Sequence, residues 1–174
     1  GAKLDDELYE FDQMTRYATV DLATSTKQTA DYTVFTAFAH DQNENKLFVT
    51  DMLRKRMEAP DIIPAMKKFY KKNNLDWIGI ERAGFQLSII QFAKREGINV
   101  RELKADRDKR SRAMPLSAKM ESGQVFFPDD PMENWVHEAE RELLTFPLGA
   151  HDDIVDTLAY GVLNLNKRIN WKAY

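Results

Sequence analysis

The 174-residue chain contains no cysteine. That excludes a disulfide framework, a thiolate zinc site and a cysteine nucleophile together. It fits the reducing conditions of a cytosol. Glycine and proline are scarce, at 7 and 6 residues, so little of the chain is linker or low-complexity sequence. No internal repeat is visible. No apolar run approaches the roughly 18–20 residues of a membrane span, so no membrane contact is expected. No charged start followed by an apolar stretch marks a secretory signal. The three histidines, His40, His137 and His151, lie far apart in sequence and offer no zinc cluster. The chain starts with Gly1-Ala2 rather than methionine, which reads as a cloning scar or a cut site, so a piece of a longer protein is expected.

What is present reads as one globular domain. The length suffices for a proper core and is short for two. Apolar residues make up 43% and charged residues 30%, ordinary values for a folded domain. The net charge of -3 removes any bulk-charge argument for nucleic acid. The distribution is more informative. Between Arg101 and Lys119 stand seven basic residues (Arg101, Lys104, Arg107, Lys109, Arg110, Arg112 and Lys119) and three acidic ones, a local +4 on a body of -7. Such a segment reads either as a solvated surface loop or as a phosphate-gripping one.

The hydrophobic pattern changes period along the chain. Residues 3–15 are acidic and weakly patterned, an arm or short helix, and residues 1–16 as a whole read as an arm or linker remnant. Three β-rich stretches follow, at 17–23, 32–39 and 46–53, with short connections, which predicts an antiparallel meander. A helical stripe at 60–72 precedes an apolar strand at 76–81. A helix at 86–96 is stopped by Gly97 and followed by a strand at 98–103. Two parallel strands are therefore added beside the meander. After the basic segment, residues 124–128 read as a short strand or hairpin arm. A helix from Asp130-Pro131 to Leu144 follows, with an apolar face that includes Leu143 and Leu144. A last helix spans 151–167. The sum is an α/β mixed sheet, part antiparallel and part parallel, with helices on both faces, over a domain of residues 17–168 with a tail at 169–174.

Three acidic positions stand out. Asp21 lies inside the first β-rich stretch, between Val20 and Leu22. A lone carboxylate there costs several kcal/mol unless a cation or hydrogen bonds compensate. Glu81 ends the Trp77-Ile-Gly-Ile strand. The run His151-Asp-Asp-Ile-Val-Asp156 opens the last helix, where Asp153 and Asp156, or Asp152 and Asp156, share a face. Each has a plain reading. One of Asp152 and Asp153 can cap the helix. Asp21 can pair with a buried cation, and Glu81 can sit at a surface strand end. Jointly, if the first and fourth strands are neighbours and the last helix crosses them, the carboxylates converge. Hard oxygen donors of this kind suit two divalent cations, Mg²⁺ or Mn²⁺. Trp77 and Trp135 read as core rather than as base-stacking residues. Trp171 and Tyr174 are candidate partner contacts.

The order strand-Asp21, Asp31-Tyr32-Thr33, strand-Glu81 and His151-Asp-Asp-x-x-Asp-x-Leu-Ala159 resembles the nuclease domain of the large terminase subunit of tailed bacteriophages. That family belongs to the ribonuclease H-like, retroviral-integrase-like superfamily. The resemblance runs from about Tyr17 to Asn166 and extends to Lys109-Arg-Ser-Arg-Ala-Met-Pro-Leu and Glu121-Ser-Gly-Gln-Val-Phe-Phe-Pro. It implies a DNA endonuclease with a ribonuclease H-like fold and two divalent metal ions, cutting concatemeric genomes. Asp21, Glu81 and Asp153 would be catalytic. Asp152 and Asp156 are further candidate metal ligands, and which aspartate of the cluster is essential stays open. His151 would be auxiliary. Lys104, Arg107, Lys109, Arg110, Arg112 and Lys119 would grip double-stranded DNA. The implied partners are the terminase ATPase domain, the small terminase subunit and the portal, in the cytoplasm of an infected bacterium and not as a structural part of the virion. The sequence has no Gly-x-x-x-x-Gly-Lys-Ser/Thr phosphate loop, so no ATPase motor is encoded within it. Two alternatives remain at this level. One is another nuclease of the same fold, such as a junction resolvase or transposase core. The other is a non-catalytic, nucleic-acid-binding scaffold.

Overall fold

The computed structural model describes residues 1–23, 32–84, 86–105, 108–130 and 132–165. Asp31, Arg107, Pro131, Trp171 and Tyr174, and with them the expected tail, lie outside the described residues. A small hairpin, β1 (Ala2–Leu4) with β2 (Glu7–Tyr9), opens the chain where an arm or short helix was expected. Its strands are three residues long, too short for a readable alternation, and Asp5 turns the chain at φ 53°. Tyr9 and, beyond the hairpin, Phe11 pack on Phe48.

β3 (Thr15–Asp21), β4 (Thr33–Asp41) and β5 (Lys46–Lys55) form the expected antiparallel meander. α1 (Ala59–Lys72) leads to β6 (Trp77–Glu81), which pairs parallel with β3. α2 (Gln86–Arg95) leads to β7 (Val100–Leu103), parallel to β6. The basic segment is not a loop. It forms α3 (Lys109–Glu121), capped by Asp108, which accepts from the Ser111 amide at 3.0 Å and its hydroxyl at 2.7 Å. β8 (Val125–Phe126) is no hairpin arm but an edge strand parallel to β5. The sheet order is β7-β6-β3-β4-β5-β8. α4 (Asn134–Thr145) starts later than expected, and Leu144 is 87% exposed rather than part of a buried face. α5 (Asp153–Leu163) is the last described helix. No helix among the described residues is long and apolar enough to cross a membrane.

Strand alternation sorts the side chains onto two cores. Ala18, Val20, Leu22, Ile78 and Ile80 face α1 and α2. Tyr17, Val34, Phe38 and Trp77 face α3, α4 and α5. Trp77 is core, as expected, stacked on Tyr17 at 4.5 Å. By the same alternation Asp21 and Glu81, in phase with Tyr17 and Trp77, face α5. The register pairs Val20 with Ile80, so Asp21 and Glu81 emerge side by side at the adjoining strand ends.

α5 is buried on nearly all sides, from Ile154 to Val162. Hydrogen bonds lock it to the sheet. Thr19 donates to the Thr157 carbonyl at 2.6 Å, Tyr17 donates to the Gly161 carbonyl at 2.7 Å, and the Thr36 and Thr157 hydroxyls meet at 2.7 Å. Gly161 permits the close approach: a Cβ there would stand 2.4 Å from the Phe38 ring, which is itself fully buried. Gly161→Ala is therefore expected to lower stability by about 1–3 kcal/mol through overpacking. Urea denaturation checks this, and an unchanged midpoint would show that α5 is not seated so tightly.

Candidate active site

Asp21 ends β3 and Glu81 ends β6, so two carboxylates leave the same edge of a parallel strand pair. α5 runs across the sheet with its N-terminus at that edge, bringing Asp152, Asp153 and Asp156 to the same place. The result is a cavity of about 620 Å³ whose walls include Asp21, Glu81, Asp152, Asp153, Asp156, His151, Lys109 and Arg112. All five candidate carboxylates line it.

The electrostatics record the convergence. The Asp21 carboxyl is pushed up from 3.8 to about 8, first by burial and then by the charges of Asp153 and Asp156, with a smaller push from Glu81; Lys109 opposes the shift. Burial also raises Asp156, against the pull of Lys109. The Lys109 ammonium sits 2.8 Å from Asp152 and 3.3 Å from Asp156, and Arg112 lies 3.6 Å from Asp156. Burial weakens the Lys109 charge, but these carboxylates outweigh it and its pKa is raised. Lys109 and Arg112 thus act as the cluster's internal counter-ions. Among the described residues, no three His, Asp or Glu side chains close on one point as a ready-made metal-ligand set. Two of the aspartates turn toward Lys109 instead.

The donor set nonetheless fits divalent cations of the Mg²⁺ or Mn²⁺ class. Every wall carboxylate is a hard oxygen donor, and no thiolate competes. One buried oxygen in the cavity wall lacks a hydrogen-bond partner, Gln86 Oε1. Burial, and then the charge of Glu81, hold the Tyr160 phenol above its ordinary value, although no hydrogen bond of normal geometry joins the two. An orphaned polar atom like that of Gln86 marks a place that a bound group would complete.

Sequence reading missed a residue that fixes the site. Asp152 occupies the N-cap position of α5 but makes no side-chain cap bond, because it faces Lys109. The cap comes from α4 instead. Glu142, 6% exposed, accepts from the amides of Ile154 at 2.6 Å and Val155 at 3.0 Å. A carboxylate there also meets the positive end of the helix. The only available signal was a glutamate flanked by residues that the α4 pattern buries.

The DNA-contact candidates scatter. Lys109 and Arg112 are in the cavity wall, held by aspartates. Lys119 is 7% exposed and donates to the Asn45 carbonyl at 2.7 Å, about 15 Å along α3 from Lys109. It is a structural tie and is removed from the DNA-contact set. Lys104 and Arg110 are exposed. His151 is exposed, its ring edge-on to Tyr32 at 5.6 Å.

Asp21→Asn is expected to stabilise the metal-free protein. Unfolded Asp21 loses its proton above pH 4, whereas the folded form keeps it to about 8. The folded state therefore binds the extra proton across that window, and stability falls as pH rises through it. Asparagine removes this cost, so the variant should gain about 2–4 kcal/mol relative to wild type at pH 8 and little near pH 4. Denaturant titrations at both pH values, with chelator, check it. A variant less stable at pH 8 would mean the carboxylates do not repel.

Comparisons agree with this geometry. Residues 18–165 match the terminase RNaseH-like domain family. The fold is similar to the zinc-bound large terminase nuclease of thermophilic phage G20c, with a TM-score of 0.69 at 22% identity over 88% of this chain and 82% of that one. It is similar to the manganese-bound large terminase nuclease domain of bacteriophage SPP1, with a TM-score of 0.60 at 16% identity over 86% of each chain. The P22 large terminase nuclease domain follows at a TM-score of 0.63 and 14% identity, over 86% of this chain and 80% of that one. No curated protein matches the sequence. With its six-stranded mixed sheet, its paired strand-end carboxylates and a family match over most of its length, the chain belongs to the terminase RNaseH-like domain family.

Proposed function

We propose that this chain is a divalent-metal-dependent DNA endonuclease domain of a viral packaging terminase, cutting concatemeric genomes by phosphodiester hydrolysis. The observation that carries the reading is the shared wall: Asp21, Glu81 and the α5 aspartates face one cavity and act on each other's charge. The metal-bound nucleases among the fold's neighbours support it.

Asp21 would give up its proton to hold both ions, Glu81 would hold one, and Asp153 with Asp152 or Asp156 would complete the other position. When bound, such an ion pair supplies an activated water and neutralises the charge that builds on the phosphate. The protein's own part is fixed geometry. Glu142 and the Thr19–Thr157 contact hold α5, and with it Asp153, at the strand ends. Lys109 and Arg112 balance Asp152 and Asp156 and keep positive charge beside the place a phosphate would occupy. Hydrolysis joins a water oxygen to phosphorus and breaks one phosphorus–sugar oxygen bond; no side chain serves as nucleophile. Double-stranded DNA is the proposed substrate. The ATPase domain, the small subunit and the portal are the proposed partners, in the cytoplasm of an infected bacterium.

The test is cleavage of plasmid and linear duplex DNA with Mg²⁺ or Mn²⁺. Wild type should cut both without preferring four-way junctions. Asp21→Asn, Glu81→Gln and Asp153→Asn should each lose at least about 100-fold in rate. Retained cleavage by Asp21→Asn would sink the two-ion mechanism. A wild type inert with every divalent ion would favour a scaffold, and a strong junction preference would favour a resolvase.

A further inference from the structure

In the expected basic segment Arg112 and Lys119 are buried and the half-exposed Lys109 is paired with Asp152 and Asp156, while Lys104 and Arg110 stay exposed. A second concentration of positive charge lies at the C-terminal end of β5. The register places Asp21 opposite Val34 and Val34 opposite Arg54. Arg54 is therefore two strands from Asp21 along the same sheet edge, about 10 Å away. That is about three base steps along one strand of a duplex.

The local construction is specific. The guanidinium groups of Arg54 and Arg56 lie over the Tyr32 ring, at 3.6 and 4.8 Å from its centroid. Tyr32 in turn touches His151, which lines the catalytic cavity. An unbroken row runs from the aspartates through His151 and Tyr32 to the two arginines. Alternation then splits the strand end. Arg54 faces α4, where Glu138 stands 4.0 Å away. Beyond Tyr32, Lys55, Arg56 and Lys68 line a second cavity of about 540 Å³ against α1. Of the two acids in its wall, Asp51 is engaged by Lys72 at 2.8 Å and Asn73 at 2.9 Å, and Asp61 stands in the first turn of α1. Among the described residues, no salt bridge engages Lys55, Arg56 or Lys68. On a chain of net charge -3, Lys55 and Arg56 at the edge that carries the active site, with Lys68 of α1 in the wall of the cavity behind them, call for an anionic partner.

We propose that the end of β5, through Lys55 and Arg56, together with Lys68 of α1, is a phosphate track that carries duplex DNA to the catalytic cavity. Tyr32 is its positioning residue, holding the Arg56 guanidinium group at the height of the sheet edge. The track rests on the nuclease reading and adds the direction from which substrate arrives: across β4, away from α3. Contacts of this kind read backbone charge, so binding should be indifferent to sequence and steeply dependent on salt.

The test uses the whole chain and a short, random-sequence, fluorescently labelled duplex. Anisotropy is recorded with Ca²⁺ between about 50 and 200 mM KCl. Arg56→Gln should weaken binding about 3–10-fold and make the slope of log K against log salt shallower by about 0.9; adding Lys55→Gln should double that change in slope. Tyr32→Ala should behave like Arg56→Gln, while Tyr32→Phe, which keeps the ring, should match wild type. Lys94→Gln on the outer side of α2 removes the same charge and should leave the slope unchanged. A salt slope unaltered in the Lys55→Gln/Arg56→Gln variant overturns the track. So does a wild type that fails to bind duplex at about 100 µM, the weak end of non-specific affinity. Mn²⁺-dependent cleavage, measured in parallel, judges the nuclease reading separately: cleavage that persists with an unaltered slope removes the track and leaves the enzyme.

Discussion

Like charges confined in a half-buried pocket repel, and this fold sustains that repulsion at Asp21. Its carboxyl stands near 8 because burial and three acidic neighbours disfavour its charge. A chain selected for stability alone would have no use for the arrangement. The rest of the structure either creates it or restrains it. Two parallel strands end together and present Asp21 and Glu81, α5 points its acidic first turn at them, and Lys109 and Arg112 supply partial compensation. The compensation is incomplete, and a bound cation would relieve what remains.

Holding α5 against that repulsion needs positive contacts elsewhere. They come from the middle and far part of the helix, where Tyr17, Thr19 and Thr36 bond to it and Gly161 lets Phe38 approach. At the near end, Glu142 binds the Ile154 and Val155 amides. A buried carboxylate from another helix thus takes the capping role that local sequence assigns to Asp152. This leaves Asp152 to face Lys109. One exchange of partners accounts for both the stability of the helix start and the pairing of Asp152 with Lys109.

The strands and their neighbours were legible because alternation is a local property: Tyr17, Thr19 and Asp21 share a face whatever the tertiary context. The β-α-β order then places β6 beside β3. α3 was not legible as a helix. Its inward residues are Arg112, Leu116 and Lys119, so the buried face carries two cations and reads as a charge run. Pro115 inside it adds to the disguise. The opening hairpin failed for a different reason, since three-residue strands hold too little pattern. Arg54, Lys55 and Arg56 sit inside a stretch that reads as strand and outside the conspicuous basic run. Their common edge with Asp21 exists only once the register of β3, β4 and β5 is known. The carboxylate set was visible from spacing and resemblance; its internal counter-ions and its cap were not, because both depend on residues brought in from other helices.

The account stands or falls on whether these acidic groups take up cations. Titration of the chelator-treated protein with Mn²⁺, followed by electron paramagnetic resonance and calorimetry, addresses that without any DNA present. Wild type should bind two ions per chain, with proton release from Asp21 near neutral pH, and Asp21→Asn should lose at least one of them. A wild type that binds no Mn²⁺, or binds it identically when Asp21 is replaced, would contradict the central claim.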